Sequence, residues 1–226
     1  MLFPYAKHQK FPPSFELLGK VGIQHFATAV NTLNSKSMRH SQIPYLPMRI
    51  CVYCSSSLSI DSRYLDLASE VGHAIALEGW SLVSGGGSIS MMGAVGRAVR
   101  HSGGHTLGVI PQALIDREIC DHDSDELIVV DNMRDRKGLM EKHADAFLAL
   151  PGGIGTLEEL IEIWVGRFLN FHQKPVVVLD PFDDFALLRQ QMDHLATRGF
   201  MKPGQAEIVQ WCTSVPEVIQ TLRNAQ

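Results

Sequence analysis

The chain has 226 residues, 45% of them hydrophobic, and a formal net charge of −4 at pH 7. That length suits one α/β domain with a tail, large enough to bury a sizeable core. The mildly acidic balance argues against nucleic acid as a bulk partner. No run of about 18 apolar residues occurs, so no membrane-spanning helix and no membrane partner is expected.

Residues 1–47 differ in composition from the rest of the chain. Lys7, Lys10, Lys20, Lys36 and Arg39 stand against Glu16 alone, and Pro12, Pro13, Pro44 and Pro47 punctuate the segment. Residues 15–33 fit one amphipathic helix, with Phe15, Leu18, Phe26, Val30 and Leu33 among its apolar positions. A flexible extension, a docking helix and an organelle-targeting peptide compete. The scarcity of acids suits targeting, and a single arginine does not. Initiation at Met48, just ahead of the first strand, is a fourth reading. The one adopted is a dispensable extension over 1–47, followed by a single domain over 48–226.

From Met48 onward strand and helix alternate. Arg49–Cys54 is the first strand. A helix over 61–78 follows, with Leu65, Ala68, Val71, His73, Ile75 and Ala76 available for packing. Next come a strand at Trp80–Ser84, a glycine cluster and a helix over 90–101. Strands at Thr106–Ile110 and Leu127–Val130 precede a helix over 133–143. Ala146–Leu150 is the fifth strand, and residues 157–170 form a helix. Val176–Leu179, a helix over 182–198, a short strand at Ile208–Trp211 and a helix over 215–224 complete the chain.

The segments LIVV at 127–130, FLAL at 147–150 and VVV at 176–178 are apolar without alternation. Such strands are covered on both faces, as in a parallel sheet between helices. Right-handed crossovers then give a single doubly wound, Rossmann-like α/β domain with a mostly parallel sheet of about seven strands. Ligands of such sheets sit beyond the carboxyl ends of the strands.

Cys51 and Cys54 form a C-x-x-C within an apolar strand, where side chains three apart face opposite ways. That is a poor arrangement for one metal, and no second pair completes a zinc site. With Cys120 and Cys212 they are read as buried, reduced thiols of a cytoplasmic protein, with no metal and no cofactor.

Three segments carry chemistry. The first is SGGGSISMMG, Ser84–Gly93, which follows a strand and opens a helix. Consecutive glycines let backbone approach a ligand, and N–H groups at a helix start attract anions. It fits neither G-x-G-x-x-G nor a Walker loop. A tight strand-to-helix turn explains it equally well.

The second is PGGIGTLEE, Pro151–Glu159. Gly152, Gly153 and Gly155 permit a nest of N–H groups. Thr156 reads as the N-cap of a helix whose apolar stripe is Leu157, Leu160, Ile161, Trp164 and Phe168. Thr156 and Glu159 also have the T-x-x-E spacing of a capping box, which explains the pair without catalysis.

The third is MRDRKGLMEKHAD, Met133–Asp145. Met133, Arg136 and Met140 share a face, with Lys137 alongside. Arg134, Glu141 and Lys142 read as solvated surface.

Taken together, these segments resemble the LONELY GUY family of cytokinin-activating phosphoribohydrolases. Its hallmarks are a GGGxxGLMG-type loop, an M-x-x-R-K and a P-G-G-x-G-T-x-x-E. This chain carries GGGSISMMG, Met133–Arg134–Asp135–Arg136–Lys137 and PGGIGTLEE in that order. Ser90 and Met91 stand where the usual pair is Gly-Leu, and residues 1–47 lie outside the pattern.

The resemblance implies a Rossmann-like fold, commonly dimeric and sometimes a higher oligomer, and a homodimer is the expectation adopted. It implies hydrolysis of an N⁶-substituted adenosine 5′-monophosphate to free base and ribose 5-phosphate. It makes Arg136 and Glu159 catalytic. It makes Gly86, Gly87, Met92, Met133, Lys137, Gly152, Gly153, Ile154, Gly155 and Thr156 substrate contacts.

The physics agrees with that chemistry. Cleaving an N-glycosidic bond builds oxocarbenium character on the sugar and negative charge on the leaving base. Glu159 suits the first, through charge stabilisation and activation of water. Arg136 suits either the leaving base or the phosphate, its high pKa making it a poor proton donor. Two rivals differ in kind. A pyridoxal-phosphate decarboxylase needs a Schiff-base lysine, and no lysine sits in a recognisable context for one. A non-catalytic nucleotide sensor on the same fold has no need of both Arg136 and Glu159.

Overall fold

Strand β1 (Arg49–Tyr53) lies at the centre of a seven-stranded parallel sheet ordered β4-β3-β2-β1-β5-β6-β7. The computed structural model describes residues 47–115 and 120–226. The helix expected over 15–33 lies outside the described residues. The other strands are β2 (Ser81–Ser84), β3 (Thr106–Pro111), β4 (Glu126–Val130), β5 (Ala146–Ala149), β6 (Val176–Leu179) and β7 (Val209–Cys212). Every strand pairing within the sheet is parallel, with Cys51 opposite Val83 of β2 on one side and Phe147 of β5 on the other.

The helices are α1 (Ser62–Leu77), α2 (Ser90–His101), α3 (Gln112–Ile115), α4 (Met133–His143), α5 (Ile154–Phe168), α6 (Ala186–Thr197) and α7 (Val215–Asn224). The short α3 is absent from the sequence reading. The sixth helix starts at Ala186 rather than 182, because the carboxylate of Asp180 accepts the N–H groups of Asp184 and Phe185 and holds 180–185 as a loop.

Side-chain alternation along β1 divides the interior into two cores. Ile50 and Val52 pack with α1, α2 and α7, while Cys51 and Tyr53 pack with α4 and α5. Cys54 belongs to the first core and Cys51 to the second, as opposite faces require. All four cysteines are buried and free.

Burial departs from the sequence reading in two places. The LIVV segment is not covered on both faces: β4 is an edge strand, and Val129 is 47% exposed. It pairs only with β3, and Leu127 and Ile128 are only partly buried. His73 faces solvent and contacts the hydroxyl of Ser102 rather than the core.

The order of the strands places the site. From β1 the chain steps outward through β2, β3 and β4, then returns to lay β5 against the other side of β1. The connections leaving β1 and β5 therefore diverge, opening a crevice at their carboxyl ends.

Candidate active site

The N-terminus of α5 lies on that crevice. The helix starts at Ile154 with Gly153 as its N-cap, a residue with no side chain to accept from the first N–H groups. This corrects the reading of Thr156 as the cap. Thr156 sits inside the first turn, buried, with its hydroxyl against Gly152. A Cβ at residue 152 would lie 2.1 Å from Thr156 Oγ1, so only glycine fits there. The T-x-x-E pair is therefore no capping box. At Gly153 and Gly155 an added Cβ would meet open space, so the backbone of this turn is accessible.

The buried face of the helix also differs from the expected one. Thr156, Leu160, Ile163 and Trp164 face the core, and Ile163 takes the place expected for Ile161, which is 42% exposed. Phe168, assigned to the same stripe, is only partly buried. Glu159 is half-buried and turned toward the end of β1. Its charge reaches Cys51, Tyr53 and Cys54.

Arg136 reaches the crevice from the other side. It lies on α4, whose start is fixed by Asn132 accepting the N–H groups of Arg134 and Asp135 at 3.0 Å each. The side chain is buried, and its Nε donates to the carbonyl of Val109 at 3.2 Å and Nη2 to that of Gly85 at 3.1 Å. The remaining nitrogen, Nη1, lies 3.8 Å from the sulfur of Met133. A buried guanidinium held by two carbonyls at the ends of β2 and β3 is a fixed positive charge.

Both groups line one cavity of about 290 Å³. Its walls come from Cys54–Ser57 after β1, Met92 of α2, Met133 and Arg136 of α4, and Gly153, Gly155, Thr156, Glu158 and Glu159 around α5. The buried Cys51 thiol beneath it registers both charges. Burial raises its pKa most, Glu159 adds to the rise and Arg136 opposes it. A second chamber of about 350 Å³, bounded by Ile60, Tyr64, Met91, Gly152 and Asp184, shares Ser55, Ser57 and Gly153 with the first. A larger cleft of about 490 Å³ on β4 and α4 includes Arg134, read from the sequence as solvated surface, and none of the expected site residues.

Seven of the expected residues thus meet around the cavity: Met92, Met133, Arg136, Gly153, Gly155, Thr156 and Glu159. Gly152 borders the second chamber. Four others stand outside these walls. Gly86 packs against Ile110 and Leu127, and the N–H of Gly87 points to the sulfur of Met92 at 3.1 Å. Ile154 is 87% exposed. Lys137 is paired with Glu158 and, at 2.8 Å, with Glu162. Burial lowers the Lys137 pKa, but the two carboxylates outweigh it and hold the ammonium above the ordinary lysine range.

The sequence reading missed Ser55, Ser56 and Ser57. Their signal was position: three hydroxyls directly after a strand, at the carboxyl edge where ligands of such sheets sit.

Residues 92–222 match the family described as "Possible lysine decarboxylase". The cytokinin riboside 5′-monophosphate phosphoribohydrolase of Mycobacterium tuberculosis is 49% identical over 158 residues, covering 70% of this chain and 84% of that protein. The Arabidopsis thaliana enzyme of the same name, LOG5, is 41% identical over 174 residues, covering 77% of this chain and 76% of its own. Among solved structures, the molybdenum cofactor carrier protein of Chlamydomonas reinhardtii superposes with a TM-score of 0.62 at 22% identity, over 80% of this chain and 98% of that one. At that identity the likeness speaks for the fold alone.

Proposed function

This chain belongs to the LONELY GUY family of cytokinin riboside 5′-monophosphate phosphoribohydrolases, and we propose that it hydrolyses the N-glycosidic bond of an adenosine 5′-monophosphate, N⁶-substituted or plain. The observation that carries this reading is the placement of a buried arginine and a half-buried glutamate on one cavity beside a helix start whose N-cap is a glycine.

The α5 N-terminus offers N–H groups and a positive dipole end to the 5′-phosphate. Anchoring there supplies binding energy that positions the ribose. Water attacks C1′ as the bond to the base nitrogen breaks, giving ribose 5-phosphate and free base. Glu159 stabilises the positive charge growing on the sugar and takes a proton from the attacking water, and the departing base nitrogen gains a proton in turn from solvent, which leaves free base. With the phosphate served by α5, Arg136 is left for the negative charge on the departing base, and its carbonyl tethers keep it in place without reorganisation.

A decarboxylase reading fits less well. A Schiff-base lysine needs a lowered pKa, and Lys137, beside the cavity, has a raised one.

Ile161, Val165 and Leu169 form an exposed apolar stripe along α5, at 42%, 46% and 48% exposure. It supports the homodimer expected from the resemblance. The four reduced thiols favour a cytoplasmic setting, and no helix among the described residues is long and apolar enough to cross a membrane.

The test is incubation with AMP, isopentenyl-AMP and the matching nucleosides, with chromatographic detection of free base. Base from the monophosphates and little from the nucleosides is expected. Equal rates on both would remove the phosphate from the account, and no base from any would remove the activity.

A further inference from the structure

The serine loop after β1 is held by a chain of hydrogen bonds. The N–H of Ser57 donates to Ser55 Oγ at 3.1 Å, and the N–H of Ser59 donates to Ser57 Oγ at 3.3 Å. The third link comes from elsewhere in the fold: Ser90 Oγ, on the first residue of α2, donates to the carbonyl of Ser57 at 2.5 Å.

Ser90 makes that bond from an unusual backbone position. Its φ is +52°, in the left-handed region, and its side chain is buried, with the residue 8% exposed. A side chain there is strained, and glycine adopts the same angles freely. Glycine has no hydroxyl, however, and would leave the Ser57 carbonyl without this donor. Serine therefore holds a strained position and gains a bond between the start of α2, whose Met91 and Met92 line the two chambers, and the serine loop.

The consequence falls on Ser55 and Ser57. Each oxygen accepts a backbone N–H, which leaves the hydroxyl proton to offer, and both residues line the two chambers. Oxygen-rich ligands, a phosphate or a ribose, suit such donors. We infer that Ser90 is a positioning residue: it latches the serine loop across the cavity from the α5 N-terminus and so sets the affinity for the nucleotide. The inference rests on the nucleotide site proposed above.

The experiment uses the full chain as wild type, Ser90→Gly and Ser90→Ala. AMP affinity is read by calorimetry, kcat and KM by base release, and stability by thermal melting. Ser90→Gly relieves the strain and removes the latch. Its melting temperature should not fall, while AMP binds roughly three- to tenfold more weakly and the loss appears in KM rather than kcat. Ser90→Ala keeps a Cβ in the strained position and should show the same loss of affinity with a lower melting temperature. A merely structural role predicts the melting change in Ser90→Ala with AMP affinity intact in both variants, and that result overturns the inference. A wild type that binds AMP more tightly than Ser90→Gly but releases no base removes the proposed activity and leaves the latch standing.

Discussion

Arg136 fills the space that a side chain at Gly85 would need. Its Nη2 donates to the Gly85 carbonyl at 3.1 Å, and a Cβ built on residue 85 would lie 1.8 Å from the same nitrogen. The first glycine loop thus accepts the arginine that α4 sends under it. Gly85→Ala should expel the guanidinium from its two carbonyl tethers. The expected result is a loss of about 10²-fold or more in base release, with overpacking costing roughly 1–3 kcal/mol of stability. Parallel rate and melting measurements check it, and wild-type activity in Gly85→Ala would mean that Arg136 is not used where it stands.

The resemblance makes Lys137 a substrate contact, yet its ammonium is committed to Glu158 and Glu162 of the neighbouring helix. Lys137→Met should therefore act mainly on the α4–α5 contact. A stability loss of at most about 1 kcal/mol is expected, since both carboxylates are half-exposed. AMP affinity measured by calorimetry should change only severalfold. A hundredfold loss would place Lys137 on the ligand after all.

Asp145 supplies a pH-dependent contact away from the site. Burial raises its pKa, but hydrogen bonds from the backbone and guanidinium of Arg49 outweigh that, and the carboxyl titrates below its ordinary value. A carboxylate whose folded pKa is depressed stabilises the fold above its unfolded pKa and loses that contribution as pH falls through the folded one. Asp145→Asn should thus melt below the wild type at pH 7, and the two curves should converge under acid conditions. The pair is more than a third exposed, so the gap at neutral pH should be under about 1 kcal/mol.

The fold was legible because its strands are apolar runs with glycine or proline punctuation, and their order along the chain matches parallel crossovers. Burial was less legible. LIVV at 127–130 is as apolar as FLAL at 147–150, and only the sheet order reveals that one is an edge and the other central. The start of α5 was misplaced because Thr156 has the composition of a cap. The cap is Gly153, and Thr156 is needed in the first turn, where it packs on Gly152. The partnership of Arg136 with Gly85 and Val109 joins three separate segments, so no local spacing announces it. The serine loop escaped notice because hydroxyls after a strand are common, and its link to Ser90 spans two loops.

On the proposed reading, Glu159 works on the sugar rather than as a cap of its own helix. The most direct measurement is base release from AMP or isopentenyl-AMP by Glu159→Gln beside the wild type, with nucleotide affinity and melting temperature taken on the same samples. Base release should fall by about 10²-fold or more, with affinity nearly kept and without the melting loss of roughly 2–4 °C that a broken cap would cause. Wild-type turnover in Glu159→Gln, with or without a lower melting temperature, would contradict that reading.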